Sequence, residues 1–90
     1  MEYEWDEAKR LANLKKHGVD FAEIYEFDWT AAHLSTDDSE AYGEERAIAV
    51  GPVRGRLHVV VYTERNLRTR IISFRQADKR EVRRYEEEKN

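Results

Sequence analysis

The first third of the chain has the spacing of polar and apolar residues expected for one short strand followed by two helices. Residues 2–5 alternate as a strand does, and Asp6 is a suitable N-cap for a helix over residues 7–17. Cations in the last turn, with Gly18 directly after it, predict the end of this helix. Its buried side is expected to carry two leucines, Leu11 and Leu14.

A second helix is predicted over residues 21–27. Asp20 and Glu23 have the spacing of a capping box, and Val19 and Ile24 occupy the two positions of a hydrophobic staple. The apolar face of this helix is expected to consist of four residues, Phe21, Ile24, Tyr25 and Phe27.

The apolar period changes to two after a mixed, polar segment. That segment predicts only a short edge strand near residues 32–36 and a turn at residues 37–39. Three strands of an antiparallel meander are then predicted at residues 45–50, 56–64 and 68–75, joined by turns at residues 51–55 and 65–67.

A last helix is predicted from a second pair with capping-box spacing, Asp78 and Glu81. It extends to about Glu88, with Val82 and Tyr85 on its inner side. The order of elements predicts an α+β fold, in which an antiparallel sheet of about four to five strands packs with N-terminal helices and one C-terminal helix.

Composition narrows the class of protein. Ninety residues are enough for one core, so residues 1–90 are expected to form a single domain. The chain has no cysteine, which excludes a disulfide scaffold and a thiolate zinc site. An acidic N-terminus and the lack of a long apolar run favour a cytoplasmic protein that does not enter a membrane.

Charge is distributed unevenly along the chain. Residues 1–50 hold 13 acidic and 5 basic side chains, a net charge of -8, and residues 51–90 hold 6 acidic and 11 basic ones, a net charge of +5. Arginine dominates the basic half, which is typical of a surface that binds a polyanion. An equally weighted alternative is that these arginines form ion pairs with the carboxylates of the N-terminal half.

The last predicted strand carries several of these arginines. Strict alternation places Thr69, Ile71, Ser73 and Arg75 on one face, and Arg68, Arg70, Ile72 and Phe74 on the other. A basic rim on such a sheet can hold an RNA backbone and stabilise the pentacovalent phosphate formed when a 2′-hydroxyl attacks.

Two places along the chain offer groups for proton transfer. His17 can move a proton at neutral pH, with Lys16 beside it to bind phosphate or lower the imidazole pKa, although a histidine in the last turn also suits the helix dipole. Glu64, followed by Arg65, is the second candidate, and its alternative is a cross-strand ion pair with Arg68 or Arg70. The sequence has no cluster with metal-ligand spacing and no serine-hydrolase motif.

A series of motifs runs in order through nearly the whole chain: Trp5–Arg10, Asn13, Lys16–Val19, Phe21, Tyr42–Arg46, Val59–Arg65, Arg70–Ser73, Arg75 and Tyr85–Glu86. Together they resemble the BrnT toxins of BrnT/BrnA type II toxin–antitoxin modules. The resemblance implies a RelE-like fold and a ribonuclease that cleaves RNA without a metal or other cofactor and so inhibits translation. It also implies a hetero-oligomer with a BrnA-like ribbon-helix-helix antitoxin, through which alone the protein would contact DNA.

Roles follow from the resemblance at the matching positions. The catalytic set would be Lys16, His17, Glu64, Arg65 and Arg75, with either Glu64 or His17 as the general base. The RNA-binding set would be Arg46 and Arg70 from these positions, together with Arg68 of the same basic strand and with Phe74, which stands where the family has a smaller residue and could stack on a base. The alternative function is a non-catalytic or inactive toxin-like module that acts only in the antitoxin complex and its autoregulation.

Overall fold

A computed structural model describes residues 2–37 and 45–89. Within these residues the chain forms two α-helices, two 3₁₀ helices and five strands. In chain order they are β1 (Tyr3–Glu4), α1 (Glu7–His17), 3₁₀ helices at Phe21–Glu26 and Trp29–Ala31, β2 (His33–Asp37), β3 (Arg46–Val53), β4 (Arg56–Arg65), β5 (Arg68–Gln76) and α2 (Lys79–Lys89). The predicted turn at residues 37–39 falls largely outside the described residues, as do the first three residues of the Tyr42–Arg46 motif.

The sheet has the order β1-β5-β4-β3-β2, and the predicted α+β class is confirmed. Strands β2 to β5 pair antiparallel, whereas β1 pairs with β5 in parallel, with Tyr3 opposite Thr69. The prediction of a purely antiparallel sheet is therefore wrong. The reason is that β1 pairs with β5, the last strand of the meander, and no hairpin connects these two strands.

The turn predicted at residues 51–55 is also wrong, because β3 continues to Val53. Only Arg54 and Gly55 connect β3 to β4, both with positive φ (48° and 81°), as a two-residue hairpin loop requires. The loop between β4 and β5 is equally short, and there Asn66 adopts the predicted left-handed conformation with φ 50°.

A bulge in β5 changes which face its side chains occupy. Val61 pairs with Ser73 and Tyr62 pairs with Ile71, so the register skips Ile72. Ile71 and Phe74 consequently both belong to the core, which strict alternation had placed on opposite faces. Arg75, the next residue, projects from the face opposite Phe74.

The core lies between one face of the sheet and the N-terminal helical segments. The predicted caps at Asp6 and Gly18 and the capping box of Asp20 with Glu23 are confirmed, although the second helix is a 3₁₀ helix. Three predicted core residues are wrong, since Leu11, Leu14 and Tyr25 are exposed.

The C-terminal helix begins at the second predicted capping box. The backbone N–H of Asp78 donates to Glu81 Oε1 at 2.9 Å, and that of Glu81 donates to Asp78 Oδ1 at 2.8 Å. Further along, Tyr85 is buried and its hydroxyl donates to the carbonyl of Ala31 at 2.7 Å. The Tyr85 hydrogen bond therefore ties α2 to the N-terminal half of the chain.

Candidate functional site

One polar side chain joins α1 to the sheet and so determines which residues meet at the end of β5. The amide of Asn13 donates to the carbonyl of Phe74 at 2.7 Å and accepts from the N–H of Phe74 at 3.2 Å. His17 lies four residues after Asn13, on the same face of α1, and Arg75 directly follows Phe74. This contact places His17 close enough to Arg75 for the charge of the guanidinium to act on the imidazole.

We call Lys16, His17, Arg75 and Glu81 the His17–Arg75 cluster. Burial lowers the pKa of the His17 imidazole below its ordinary 6.5, and the positive charges of Lys16 and Arg75 lower it further. The ring is only partly buried, so solvent and ligands can reach it. His17 is therefore a neutral, accessible proton acceptor at neutral pH.

Arg75 is held in a two-pronged ion pair with the carboxylate of α2. Its Nη1 donates to Glu81 Oε1 at 2.7 Å and its Nη2 donates to Glu81 Oε2 at 2.8 Å. This hydrogen bonding raises the pKa of Arg75 and lowers the pKa of Glu81. About a third of the Arg75 side chain, 34%, remains exposed, so a ligand can still contact the guanidinium.

These side chains have the chemistry to bind an anion and to accept a proton from a hydroxyl group beside it. Lys16 is exposed and adds a movable cation beside the fixed guanidinium of Arg75. Two cations next to a neutral imidazole are the groups needed to bind a phosphate and to deprotonate a neighbouring hydroxyl.

Glu64 and Arg65, the other predicted catalytic residues, lie at the opposite end of the sheet. Thr69, which donates to the Glu64 carboxylate at 3.0 Å, is six residues from Arg75 along β5, roughly 20 Å. Glu64 also lies near Tyr62, whose pKa is raised by burial and then by the Glu64 charge. The structure thus separates the two candidate general bases, Glu64 and His17.

The predicted RNA-binding arginines all have carboxylate neighbours. Arg46 lies 3.7 Å from Asp37, Arg68 lies 3.2 Å from Glu2, and Arg70 lies 2.7 Å from Glu4. Arg54 likewise pairs with Glu23 and Glu26. For Arg54, Arg68 and Arg70, these contacts agree with the alternative in which the basic half pairs with the acidic N-terminal half.

Phe74 does not fit its predicted role. Its side chain is 0% exposed and forms part of the core. A ring without exposed surface cannot stack on a base, so Phe74 leaves the RNA-binding set. The bulge at Ile72 is the physical reason, because it turns Phe74 toward the core.

Glu81 is a site residue that sequence reasoning missed. Its spacing from Asp78 identified it only as a helix cap. The position of Arg75 three residues before that cap was the available signal, but the ion pair depends on how β5 and α2 meet.

Residues 2–37 and 45–89 contain no group of three or more histidines and carboxylates able to hold a metal ion. None of the helices formed by those residues is long and apolar enough to cross a membrane.

The fold and the cluster together describe a small α+β protein in which a histidine, a lysine and an arginine are grouped where α1 meets the end of β5. Residues 5–81 match the family model of the BrnT ribonuclease toxin of type II toxin–antitoxin systems. The match covers most of the chain, so the chain belongs to the BrnT family, and the resemblance seen in its motifs is confirmed. No curated protein matches the chain. Membership of a type II toxin family implies an antitoxin partner.

Proposed function

We propose that this chain is a RelE-like, metal-independent endoribonuclease whose active site is the His17–Arg75 cluster, and that it inhibits translation by cleaving RNA. The single observation that carries the proposal is the partly exposed imidazole of His17, with a lowered pKa, beside Lys16 and Arg75. Family membership supports RNA as the substrate.

In the proposed reaction, neutral His17 accepts the proton of the ribose 2′-hydroxyl. The 2′-oxygen then attacks the adjacent phosphorus, and the bond from phosphorus to O5′ breaks. Water protonates the leaving O5′, and His17 returns its proton to the resulting hydroxide, leaving a 2′,3′-cyclic phosphate and a 5′-hydroxyl. Arg75 and Lys16 stabilise the charge on the non-bridging oxygens, the role that a metal ion has in other nucleases.

The groups at the other end of the sheet take a different role in this proposal. Glu64 is too far from His17 to act on the same phosphate, so it does not serve as the base. Arg65, exposed beside it, is instead a contact for the RNA backbone. Arg46, Arg68 and Arg70 each already contact a carboxylate, so in this proposal they are secondary contacts for the RNA backbone.

The proposed partner is a BrnA-like ribbon-helix-helix antitoxin that forms a hetero-oligomer with this chain in the cytoplasm. The antitoxin would cover the His17–Arg75 cluster and would make the contacts with DNA. Co-expression should then relieve the growth arrest that the toxin causes when it is produced alone.

The experiment that tests the activity is single-turnover cleavage of a labelled RNA by purified protein in the presence of EDTA. We expect His17→Ala and Arg75→Ala each to lower the cleavage rate by roughly 100-fold or more. Lys15→Ala, which removes the neighbouring exposed lysine, should leave the rate within about twofold. Circular dichroism checks that every variant is folded.

Three results would contradict the proposal. A folded wild-type protein that neither cleaves RNA nor arrests growth would support the alternative, a non-catalytic or inactive toxin-like module. Cleavage that EDTA abolishes would exclude the metal-independent route. Full activity in both His17→Ala and Arg75→Ala would move the active site away from this cluster.

A further inference from the structure

The ion pair with Glu81 uses only one edge of the Arg75 guanidinium. Glu81 accepts from Nη1 and Nη2, and the carbonyl of Gln76 also accepts from Nη1 at 3.3 Å. No residue within 2–37 and 45–89 accepts a hydrogen bond from the Nε–H of Arg75. The edge formed by Nε and Nη2 therefore keeps two N–H donors in the fork geometry that matches a phosphate.

Glu81 is itself fixed on its other side. Its Oε1 also accepts from the backbone N–H of Asp78 at 2.9 Å, which anchors the carboxylate to the first turn of α2. Arg75 lowers the pKa of this carboxyl, so Glu81 stays ionised at neutral pH. The guanidinium is consequently attached to a rigid helix end and does not sample the many rotamers of a free arginine.

We propose that Glu81 is a positioning residue that holds Arg75 with its Nε–Nη2 edge toward the scissile phosphate. This inference rests on the proposed ribonuclease function, and it assigns Glu81 no contact with RNA. Glu81 acts through Arg75, by fixing the orientation of donors that must stabilise charge developing in the transition state.

The opposite role for Glu81, in which it competes with RNA for Arg75, can be distinguished by experiment. A carboxylate that merely competes with RNA for Arg75 would hinder the reaction, and its removal would increase the cleavage rate. A positioning carboxylate lowers the rate when it is removed, even though its negative charge opposes RNA binding. The two roles therefore predict opposite changes in the rate at saturating RNA.

The experiment compares Glu81→Gln with Glu87→Gln, which removes the same charge from an exposed position of the same helix. We expect Glu81→Gln to lower the single-turnover rate at saturating RNA at least tenfold, with RNA binding unchanged or several-fold tighter. Glu87→Gln should stay within twofold for both quantities.

A double-mutant cycle with Arg75→Lys separates a positioning role from a structural one. Because lysine lacks the fork, Glu81→Gln in that background should change the rate by less than twofold. All rates are measured at a temperature at which circular dichroism shows each variant folded. A full tenfold loss in the Arg75→Lys background would show that Glu81 does not act through Arg75.

Several results would overturn the inference. A rate that increases or stays unchanged in Glu81→Gln, while wild-type protein cleaves RNA, contradicts positioning but leaves the proposed function intact. If Glu81→Gln weakens RNA binding but leaves the cleavage rate at saturating RNA unchanged, positioning is likewise contradicted and the proposed function stays intact. A wild-type protein that does not cleave RNA overturns the proposed function, and this inference with it.

Discussion

His17 owes its lowered pKa to the residues around it, and substitutions can test each contribution. Neutralising Lys16 or Arg75 removes a positive charge that opposes protonation of the ring, so Lys16→Gln and Arg75→Gln should each raise the His17 pKa toward 6.5. An NMR titration of the imidazole measures this directly. Lys15→Gln is the matched control and should leave the pKa unchanged.

The direction of this pKa shift also fixes a pH effect on stability. The folded pKa of His17 lies below the unfolded value, so the unfolded chain binds the proton first as pH falls. The contribution of His17 to the free energy of unfolding is therefore complete above about pH 6.5 and declines below it. A His17 pKa above 6.5, or one that does not respond to Lys16→Gln and Arg75→Gln, would contradict the proposed electrostatics of the cluster.

Single residues were predictable from sequence where local chemistry determines their role. Gly18 ends α1 because its left-handed conformation, φ 72°, suits glycine. Phe74 was not predictable, because two consecutive isoleucines, Ile71 and Ile72, leave the alternation of β5 ambiguous. Only pairing with β4 determines which of them faces the core.

At the level of elements, the Asn13 side chain bonds backbone groups of β5 that a neighbouring strand would otherwise bond. In the part of the chain that the structure describes, β1 pairs only with Thr69 and Arg70, and no other strand pairs with the rest of that edge of β5. The Asn13 amide satisfies both backbone groups of Phe74 and also donates to the carbonyl of Val19 at 3.0 Å. A helix thus closes part of a sheet edge with one side chain.

Asn13→Ala should therefore destabilise the protein more than the loss of a small side chain suggests. Asn13 is 7% exposed, and its removal leaves three backbone groups without this partner. We expect the free energy of unfolding to fall by about 2–4 kcal/mol in urea denaturation.

Leu11→Ala is the control on the same helix. Leu11 is 54% exposed, so its truncation should change the free energy of unfolding by no more than about 0.5 kcal/mol. If the two variants were equally stable, the Asn13 amide would not be the contact that fixes α1 to β5.

Elements were predictable where capping signals define them, and less so where tertiary contacts do. The capping boxes at Asp20 and Asp78 located two helix starts correctly. The boundary of β3 was missed because Gly51 and Pro52 have the composition of a turn. In the fold Gly51 lies in β3, where an added Cβ would approach the Phe27 ring to 2.9 Å, a contact that no local pattern reveals.

Across the whole molecule, the charge asymmetry of the sequence becomes a set of ion pairs and a smaller exposed basic surface. Arg54, Arg68 and Arg70 of the basic half contact carboxylates of the acidic half. Sequence composition therefore overstated how much positive charge is available to a polyanion. The basic half did include Arg75, which the fold places far from Glu64 and Arg65, whereas Lys16 of the cluster comes from the acidic half.

The separation of these two ends predicts how RNA binding responds to salt. If RNA extends across the sheet from Arg75 to Arg65, either arginine-to-glutamine substitution should weaken binding and reduce the slope of log K against log salt by about 0.7. Only Arg75→Gln should also abolish cleavage at saturating RNA, because Arg65 contacts the backbone and not the reacting phosphate. Fluorescence anisotropy at several salt concentrations measures the slopes.

Arg84→Gln is the matched control, since the Arg84 side chain is 80% exposed and lies outside both ends. It should leave the slope unchanged. An oligonucleotide too short to span the sheet should lose its sensitivity to Arg65→Gln while keeping its sensitivity to Arg75→Gln. Equal sensitivity at every length would place both arginines at one binding site, which the roughly 20 Å between the two ends of β5 does not allow for a single phosphate.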